Sequence, residues 1–319
     1  MTFCFTGCLE IDSLYGEQLG TAGNDTLTST SLFSVLSGLG GNDRVLGGGL
    51  FDKLDGGEGV DTLSYENACA GVTVDLRITG WQWTGGGLFD KLSGFENIIG
   101  SRFNDCLIGD AGNNRLTGGL GRDIMKGGLG NDIYSVENVG DQVIEAADEG
   151  ADLVLASVDW TLGANVENLS LFNAAIRGTG NATKNLIAGN ANNNILNGKG
   201  GNDTLFGGAG SDTFVFDVIG PNDWDKINDF KSGEDKIGVV GSVFGLTTGA
   251  LPADYLVITS GIVARDGTHN LATTADHGQF IYDFYGNLYW DGDGSGSQAA
   301  SLIAGFGAIP FAQGDIIVI

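Results

Sequence analysis

The 319-residue chain carries 56 glycines, 3 prolines, and 40 Asp and Glu against 15 Lys and Arg, for a formal net charge of −25. Glycine without a three-residue period or abundant proline excludes a collagen-like rod, and 42% hydrophobic residues recurring at fixed intervals exclude a disordered chain. So negative a surface repels nucleic-acid phosphate and anionic membrane, arguing against both as partners, and attracts cations.

Residues 1–19 form a lead-in with weak strand character. They contain no basic stretch followed by an apolar run, so no N-terminal secretory signal is expected. No segment of the chain approaches the roughly 18 apolar residues of a membrane helix. The four cysteines, Cys4, Cys8, Cys69 and Cys106, make no CxxC pair with matching histidines, which argues against zinc. Cys4 and Cys8 are spaced so that they can bridge in an oxidising compartment.

From Gly20 a nine-residue frame runs without a slip through Ser64 (block 1, 20–64). Six loop residues rich in glycine end in an acidic or polar residue, and three strand residues with an apolar centre follow. The sixth positions are Asp25, Ser34, Asp43, Asp52 and Asp61, and the eighth are Leu27, Leu36, Val45, Leu54 and Leu63. Residues 65–84 interrupt the frame as an insertion. There, residues 70–76 alternate like a strand, and Trp81 and Trp83 read as a hydrophobic plug, with a sugar-stacking platform as the alternative. Block 2 (85–135) resumes with Asp90 and continues through Asp105, Asn114, Asp123 and Asp132, over Leu107, Leu116, Met125 and Tyr134. Residues 136–179 keep the strand-forming residues but lose the glycines, and are expected to be wider coils without tight metal loops. Block 3 (180–217) supplies Asn185, Asn194, Asp203 and Asp212 over Ile187, Leu196, Leu205 and Phe214. From 218 to 319 glycine thins and aromatics rise, which reads as a β-rich cap over the open end of a solenoid.

Two nine-residue units make one turn of a flattened parallel coil, so units eighteen residues apart stack on one edge, about 4.8 Å apart. Glycines turn backbone carbonyls toward the gap between stacked loops, and a sixth-position carboxylate from each neighbour adds charge. Some six such oxygens at roughly 2.3–2.6 Å describe a Ca2+ site, and Mg2+, which keeps its waters, fits less well. The expected ligands are Asp25, Asp43, Asp52, Asp61, Asp90, Asp105, Asn114, Asp123, Asp132, Asn194, Asp203 and Asp212. The carbonyls of Gly23, Gly41, Gly59, Gly112, Gly121, Gly130, Gly201 and Gly210 are expected to complete them. Parity pairs Asp25 with Asp43, Asp43 with Asp61, and Asp105 with Asp123. Pairs containing Asn carry one charge fewer and either bind weakly or are held as amide ladders, and the Ser34 gap should be dry. One buried Leu-class side chain per nine residues is too little apolar burial to offset the ordering of nine backbones. The blocks should therefore depend on several bound Ca2+ ions to fold.

The frame G-G-x-G-x-D-x-U-x, where U is a large apolar residue, resembles the RTX, or hemolysin-type, calcium-binding repeat. Residues 61–68, 92–97 and 161–169 are similar to recurrent phrases of those proteins. Residues 210–216 and 225–237 resemble the C-terminal region of the serralysin-like members. The resemblance implies an all-β parallel β-roll, a calcium-stacked nonapeptide solenoid with a C-terminal β-rich cap. It also implies secretion through a type I apparatus, with an uncleaved signal near the C terminus.

A catalytic domain often accompanies such repeats, so its motifs matter. HExxH is absent, since the only histidines are His269 and His277, and neither GxSxG nor a P-loop occurs. Residues 291–296 resemble the start of an EF-hand loop but read as a turn, because the twelfth position is Leu302. Whether the chain is an enzyme is left open, these missing motifs weighing against it. The expected role is a secreted calcium-binding β-roll that folds outside the cell and serves at a surface, in a matrix or in adhesion, through self-assembly or cell-surface polysaccharide. The alternative is a carbohydrate-active enzyme or accessory module, with a groove in 65–84 or 136–179.

Overall fold

A computed structural model describes residues 13–85, 88–220, 223–259, 277–293 and 300–319. Nearly every described element is a strand; the four-residue helix Gly241–Phe244 and one 3-10 turn are the exceptions. The chain divides into two compact units, 1–155 and 156–319.

The first unit is a parallel β-roll. On one face Thr26–Thr28, Arg44–Leu46, Thr62–Ser64, Asn97–Ile99, Arg115–Thr117 and Ile133–Val136 pair in order, all parallel. Leu27 sits opposite Val45 and Val45 opposite Leu63, which is the eighteen-residue stacking that two nonapeptides per turn require. Ser13–Leu19, Ser31–Ser37, Phe51–Asp55 and Leu88–Ser93 form a second sheet. Its last strand also pairs antiparallel with Trp81–Gly85. Beyond the insertion a third sheet takes over, built from Thr73–Asp75, Cys106–Ile108, Ile124–Lys126 and Gln142–Val143. Part of the interruption is thus itself a rung: Thr73 registers with Cys106.

The second unit repeats the design. Asn168–Leu171, Leu186–Ala188, Thr204–Phe206 and Asp225–Ile227 stack parallel on one face. Trp160–Thr161, Arg177–Thr179, Ile195–Asn197, Thr213–Phe216, Lys236–Val239 and Ile316–Val318 do so on the other. Gln279–Tyr282, Asn287–Asp291 and Ser301–Gly305 form an antiparallel meander whose last strand pairs with Asp225–Ile227.

Short strands with one inward residue give a narrow core. The eighth-position residues of all three blocks are buried. In the C-terminal region the core widens into aromatic contacts, among them Tyr282 stacked on Phe311 at 4.5 Å and Phe280 against Trp290 at 4.7 Å. His277 stacks on Tyr255. The EF-hand-like turn lies largely outside the described residues, as do His269 and the Cys4–Cys8 pairing. Cys69 is disulfide-bonded, its partner lying outside the described residues, and Cys106 is free. Trp81 and Trp83 do not plug the core: both are exposed, because their strand turns Gln82 and Thr84 inward instead.

Candidate metal centre

The sixth residue of each loop sits at the bend where the chain enters a three-residue strand, and its side chain turns back under the loop. Asp43 is 2% exposed, and Asp61 and Asp123 are fully buried. One oxygen of each carboxylate has a fixed job, accepting the backbone N–H of the sixth residue one coil earlier. Asp43 Oδ1 takes Asp25 N–H at 2.7 Å, Asp61 Oδ1 takes Asp43 N–H at 2.6 Å, and Asp123 Oδ1 takes Asp105 N–H at 2.8 Å. Asp132 does the same for Asn114, Asp203 for Asn185, and Asp212 for Asn194. This ladder clips successive coils together along the loop edge.

The second oxygen divides most of the loops into two kinds. In the loops that open at Gly20, Gly100, Gly109, Gly180 and Gly189, the second residue is Thr21, Ser101, Asp110, Asn181 or Asn190. Its backbone N–H closes onto the sixth side chain. Its own side chain accepts the N–H of the fourth residue. Such a loop is complete without an ion. In six further loops the second residue has φ > 0: Leu39 (76°), Gly57 (108°), Gly119 (88°), Gly128 (97°), Lys199 (72°) and Gly208 (95°). That turns its N–H away from the carboxylate. Oδ2 of Asp43, Asp61, Asp123, Asp132 and Asp203 is then buried with no hydrogen-bond partner. The Asp52 loop belongs to neither kind, its Gly48 and Gly49 N–H groups both reaching Oδ2.

A buried carboxylate oxygen without a donor is costly, so it either binds a proton or faces a cation. Burial, before any other cause, pushes Asp123 up to about 7 and Asp132 up to about 6. Asp61 and Asp212 are also raised by burial. Asp203 and Asp225 both rise, each from burial first, with the charge of Asp223 adding to Asp203 and that of Asp203 to Asp225.

The glycines shape the space these oxygens face. A Cβ on Gly38 would collide with both Asp43 Oδ2 and the carbonyl oxygen of Gly56, one coil on. A Cβ on Gly118 or Gly198 would likewise collide with Asp123 Oδ2 or Asp203 Oδ2. Carbonyls of fourth-position glycines also cross the gap: that of Gly41 presses on Gly59 (φ 144°), and that of Gly112 on Gly130. Carboxylate and carbonyl oxygens gathered where only glycine fits suit a hard divalent cation, and Ca2+ tolerates such an irregular shell better than Mg2+. Bound there, Ca2+ would supply the positive charge that the unpartnered Oδ2 atoms lack.

The expected ligands fall into distinct surroundings. Asp43, Asp61, Asp123, Asp132 and Asp203 have the open oxygen. Asp25 and Asp105 sit in closed loops, and Ser101 Oγ–H adds a further bond to Asp105. Asp52 and Asp90 have both oxygens engaged. Asp52 accepts from the N–H groups of Ser34 and Gly49, and Asp90 from Asp52 N–H, the Tyr65 hydroxyl and the Thr84 hydroxyl. Burial raises both, Asp90 up to about 6, with those bonds opposing the rise. In the neighbouring gap, the hydroxyls of Ser29 and Ser34 bond each other at 2.8 Å. Asn114, Asn185 and Asn194 use their amides as clips: Asn114 Nδ2–H donates to the Glu96 carbonyl, and Asn194 Nδ2–H to those of Ala175 and Ile176.

Sequence reasoning missed the residues that continue each ladder past its block. Glu96 Oε2 accepts Asp61 N–H, Asp141 accepts from Asp123, and Asp152 from Asp132. Asp225 accepts from Asp203, and Asp235 from Asp212. A signal was present, since Asp141, Asp152, Asp225 and Asp235 are each followed two residues later by Val or Ile. Three of them lie 20, 22 and 23 residues on rather than 18, which hides them from a strict frame.

Residues 19–54, 37–67, 93–134 and 179–214 match the RTX calcium-binding nonapeptide repeat, in four copies. No curated protein matches the chain. Those stretches are RTX calcium-binding repeats, which bind Ca2+, and the chain that carries them is a calcium-binding parallel β-roll.

Proposed function

We propose that Ca2+ ions sit beside the open loops, held by Asp43, Asp61, Asp123, Asp132, Asp203 and Asp212 with carbonyls of the adjoining coil, and that the chain folds on them outside the cell. The observation that carries this reading is the set of five buried Oδ2 atoms without a donor, each in a loop whose second residue has φ > 0. The closed loops of Asp25, Asp105, Asn114 and Asn194, and the hydroxyl-satisfied Asp52 and Asp90, are rungs that stack without an ion of their own. A net charge of −25 also favours a chain that stays open where calcium is scarce and closes where it is plentiful. Such a chain suits export unfolded through a type I apparatus and a role as surface, matrix or adhesion material. Calorimetric titration of the chelator-treated chain tests the metal assignment. Several equivalents should bind with a concurrent gain of β signal; no heat and an unchanged spectrum would overturn it.

A second reading, binding of an extracellular polysaccharide, is favoured by the outer face of the sheet that ends at Trp81–Gly85. Trp81 stacks on Phe89 at 6.0 Å and 6° and Phe33 on Phe51 at 5.2 Å and 15°, with exposed Trp83 on the same strand as Trp81. The two stacked pairs meet edge to face at Phe51 and Phe89, and the exposed rings among them offer apolar contact to sugar faces. Affinity electrophoresis through neutral and acidic polysaccharide gels, comparing the native chain with Trp81→Ala, tests it. Equal mobility in every gel would remove this reading.

A further inference from the structure

The coil after block 2 departs from the repeat in two ways. Eighteen residues beyond Gly127, where the frame calls for glycine, stands Glu145. The sixth-position acid arrives two residues late, as Asp152, yet regains the ladder by accepting Asp132 N–H at 2.8 Å. Glu145 Oε1 reaches back toward Gly127 N–H at 3.3 Å, the same N–H that the buried Tyr134 hydroxyl accepts at 2.6 Å. Asp132, Glu145 and Asp152 are all buried, and each can offer one oxygen so that the three lie within 4.8 Å of one another.

Crowding of acids alone decides nothing. The independent observation is Asp132, which is 1% exposed. Its Oδ1 is spent on Asn114 N–H, while its Oδ2 is buried with no hydrogen-bond partner. Two oxygens bound to one Ca2+ at about 2.3–2.6 Å can be up to about 5 Å apart, so the three carboxylates fit a single ion.

We infer that Asp132, Glu145 and Asp152 form a calcium site of a different kind from those of the repeat, one in which a glutamate side chain replaces the glycine carbonyl. The inference rests on the reading that open loops hold Ca2+. It extends that reading into the segment where the nonapeptide has ended. Three carboxylates supply more charge than the one or two of an ordinary gap, and ligand charge is what sets the affinity of oxygen-ligated calcium sites. The site therefore fills first on titration and empties last under chelator. It also locks the last open loop of block 2 to the coil beyond, where the repeat's own means of stacking has run out.

The test is calcium calorimetry on the full chain, comparing the native protein with Glu145→Gln, Asp152→Asn and Asp43→Asn. Glu145→Gln and Asp152→Asn should each weaken the same, tightest equivalent by tenfold or more, and Asp43→Asn a different, weaker one. Glu145→Asp keeps the charge but withdraws the oxygen by one methylene, and should fall between native and Glu145→Gln. A Glu145→Gln isotherm superimposed on the native one, while that of Asp43→Asn shifts, overturns this site and leaves the repeat sites standing. A flat native isotherm overturns both. If Glu145→Gln fails to fold at saturating calcium, Glu145→Asp decides in its place, and native affinity there overturns the site.

Discussion

The two edges of block 1 start from the same nonapeptide and end in different chemistry. On the edge of Asp43 and Asp61, the second loop residues lie at φ > 0, and each carboxylate keeps one buried oxygen with no donor. On the edge of Ser34, Asp52 and Asp90, hydroxyls and N–H groups fill the same space. Ser29 bonds Ser34, Gly49 N–H reaches Asp52, and Tyr65 and Thr84 converge on Asp90. A sixth-position aspartate is thus not a metal ligand by position alone. What decides is whether the loop or its neighbours already supply donors, because a carboxylate that accepts three good hydrogen bonds has little to gain from an ion and would lose those bonds to bind one.

The broadest break of this comparison is chelation. With EDTA the edge of Asp43 and Asp61 faces uncompensated carboxylates, and one apolar residue per nonapeptide cannot hold the coil alone. The β signal in circular dichroism should collapse and return with calcium; a spectrum indifferent to EDTA would mean that hydrogen bonding suffices on both edges. Next come substitutions that separate the edges. Asp43→Ala removes a ligand and a ladder acceptor, and losing one ion present at about 100-fold over its Kd costs about 2.7 kcal/mol, so the calcium midpoint should rise severalfold. Asp90→Asn strips a charge-assisted acceptor from two hydroxyls and should cost about 1.5–3 kcal/mol, which raises the midpoint through the folding equilibrium but leaves the number of bound ions unchanged, whereas Asp43→Ala loses one. Equal stoichiometry in the two variants would erase the distinction.

Acidity gives a subtler discriminator. In the metal-free chain Asp123 titrates near 7, Asp132 near 6 and Glu145 near 8, all raised first by burial. Folded chains then hold protons that unfolded ones have released, so the contribution of these groups is whole below about pH 4 and fades as pH rises through 6 to 8. In EDTA the residual β signal should accordingly fall over that range. In saturating calcium the trend should reverse, since protons compete with the ion for the same oxygens. A flat profile in EDTA would show that these carboxyls are ionised or solvated in the metal-free state.

The nine-residue period made the roll legible from sequence. It fixes the eighteen-residue register seen between Leu27, Val45 and Leu63, and the inward eighth positions, because strand geometry leaves no other way to bury one residue per unit. The division into open and closed loops was legible too, though it sits at the second position, where Thr21, Ser101, Asp110, Asn181 and Asn190 announce a capped turn. The partners of Asp90 were not legible. Tyr65 comes from a coil 25 residues earlier and Thr84 from the insertion, and no spacing rule connects them. Glu145 escaped because it keeps the frame but stands where the repeat has glycine, and Asp152 because two extra residues shift the frame while the fold restores the contact.

The smallest effect tests the backbone half of the comparison. Leu39 holds φ 76° at the second position of its loop, where the other open loops of block 1 and block 2 use glycine, and it is half exposed. A left-handed non-glycine residue costs about 1–2 kcal/mol, against roughly 0.5–1 kcal/mol for the extra freedom a glycine brings to the unfolded chain. Leu39→Gly should therefore stabilise the calcium-loaded roll by up to about 1 kcal/mol and lower the calcium midpoint slightly. Lys199, at φ 72° in block 3, is the control: its ammonium pairs with Asp217, so Lys199→Gly trades strain relief for a lost ion pair and should change little. If Leu39→Gly instead raised the calcium midpoint, φ > 0 would not be what keeps the Asp43 oxygen open, and the contrast between the two edges would have to rest on side-chain donors alone.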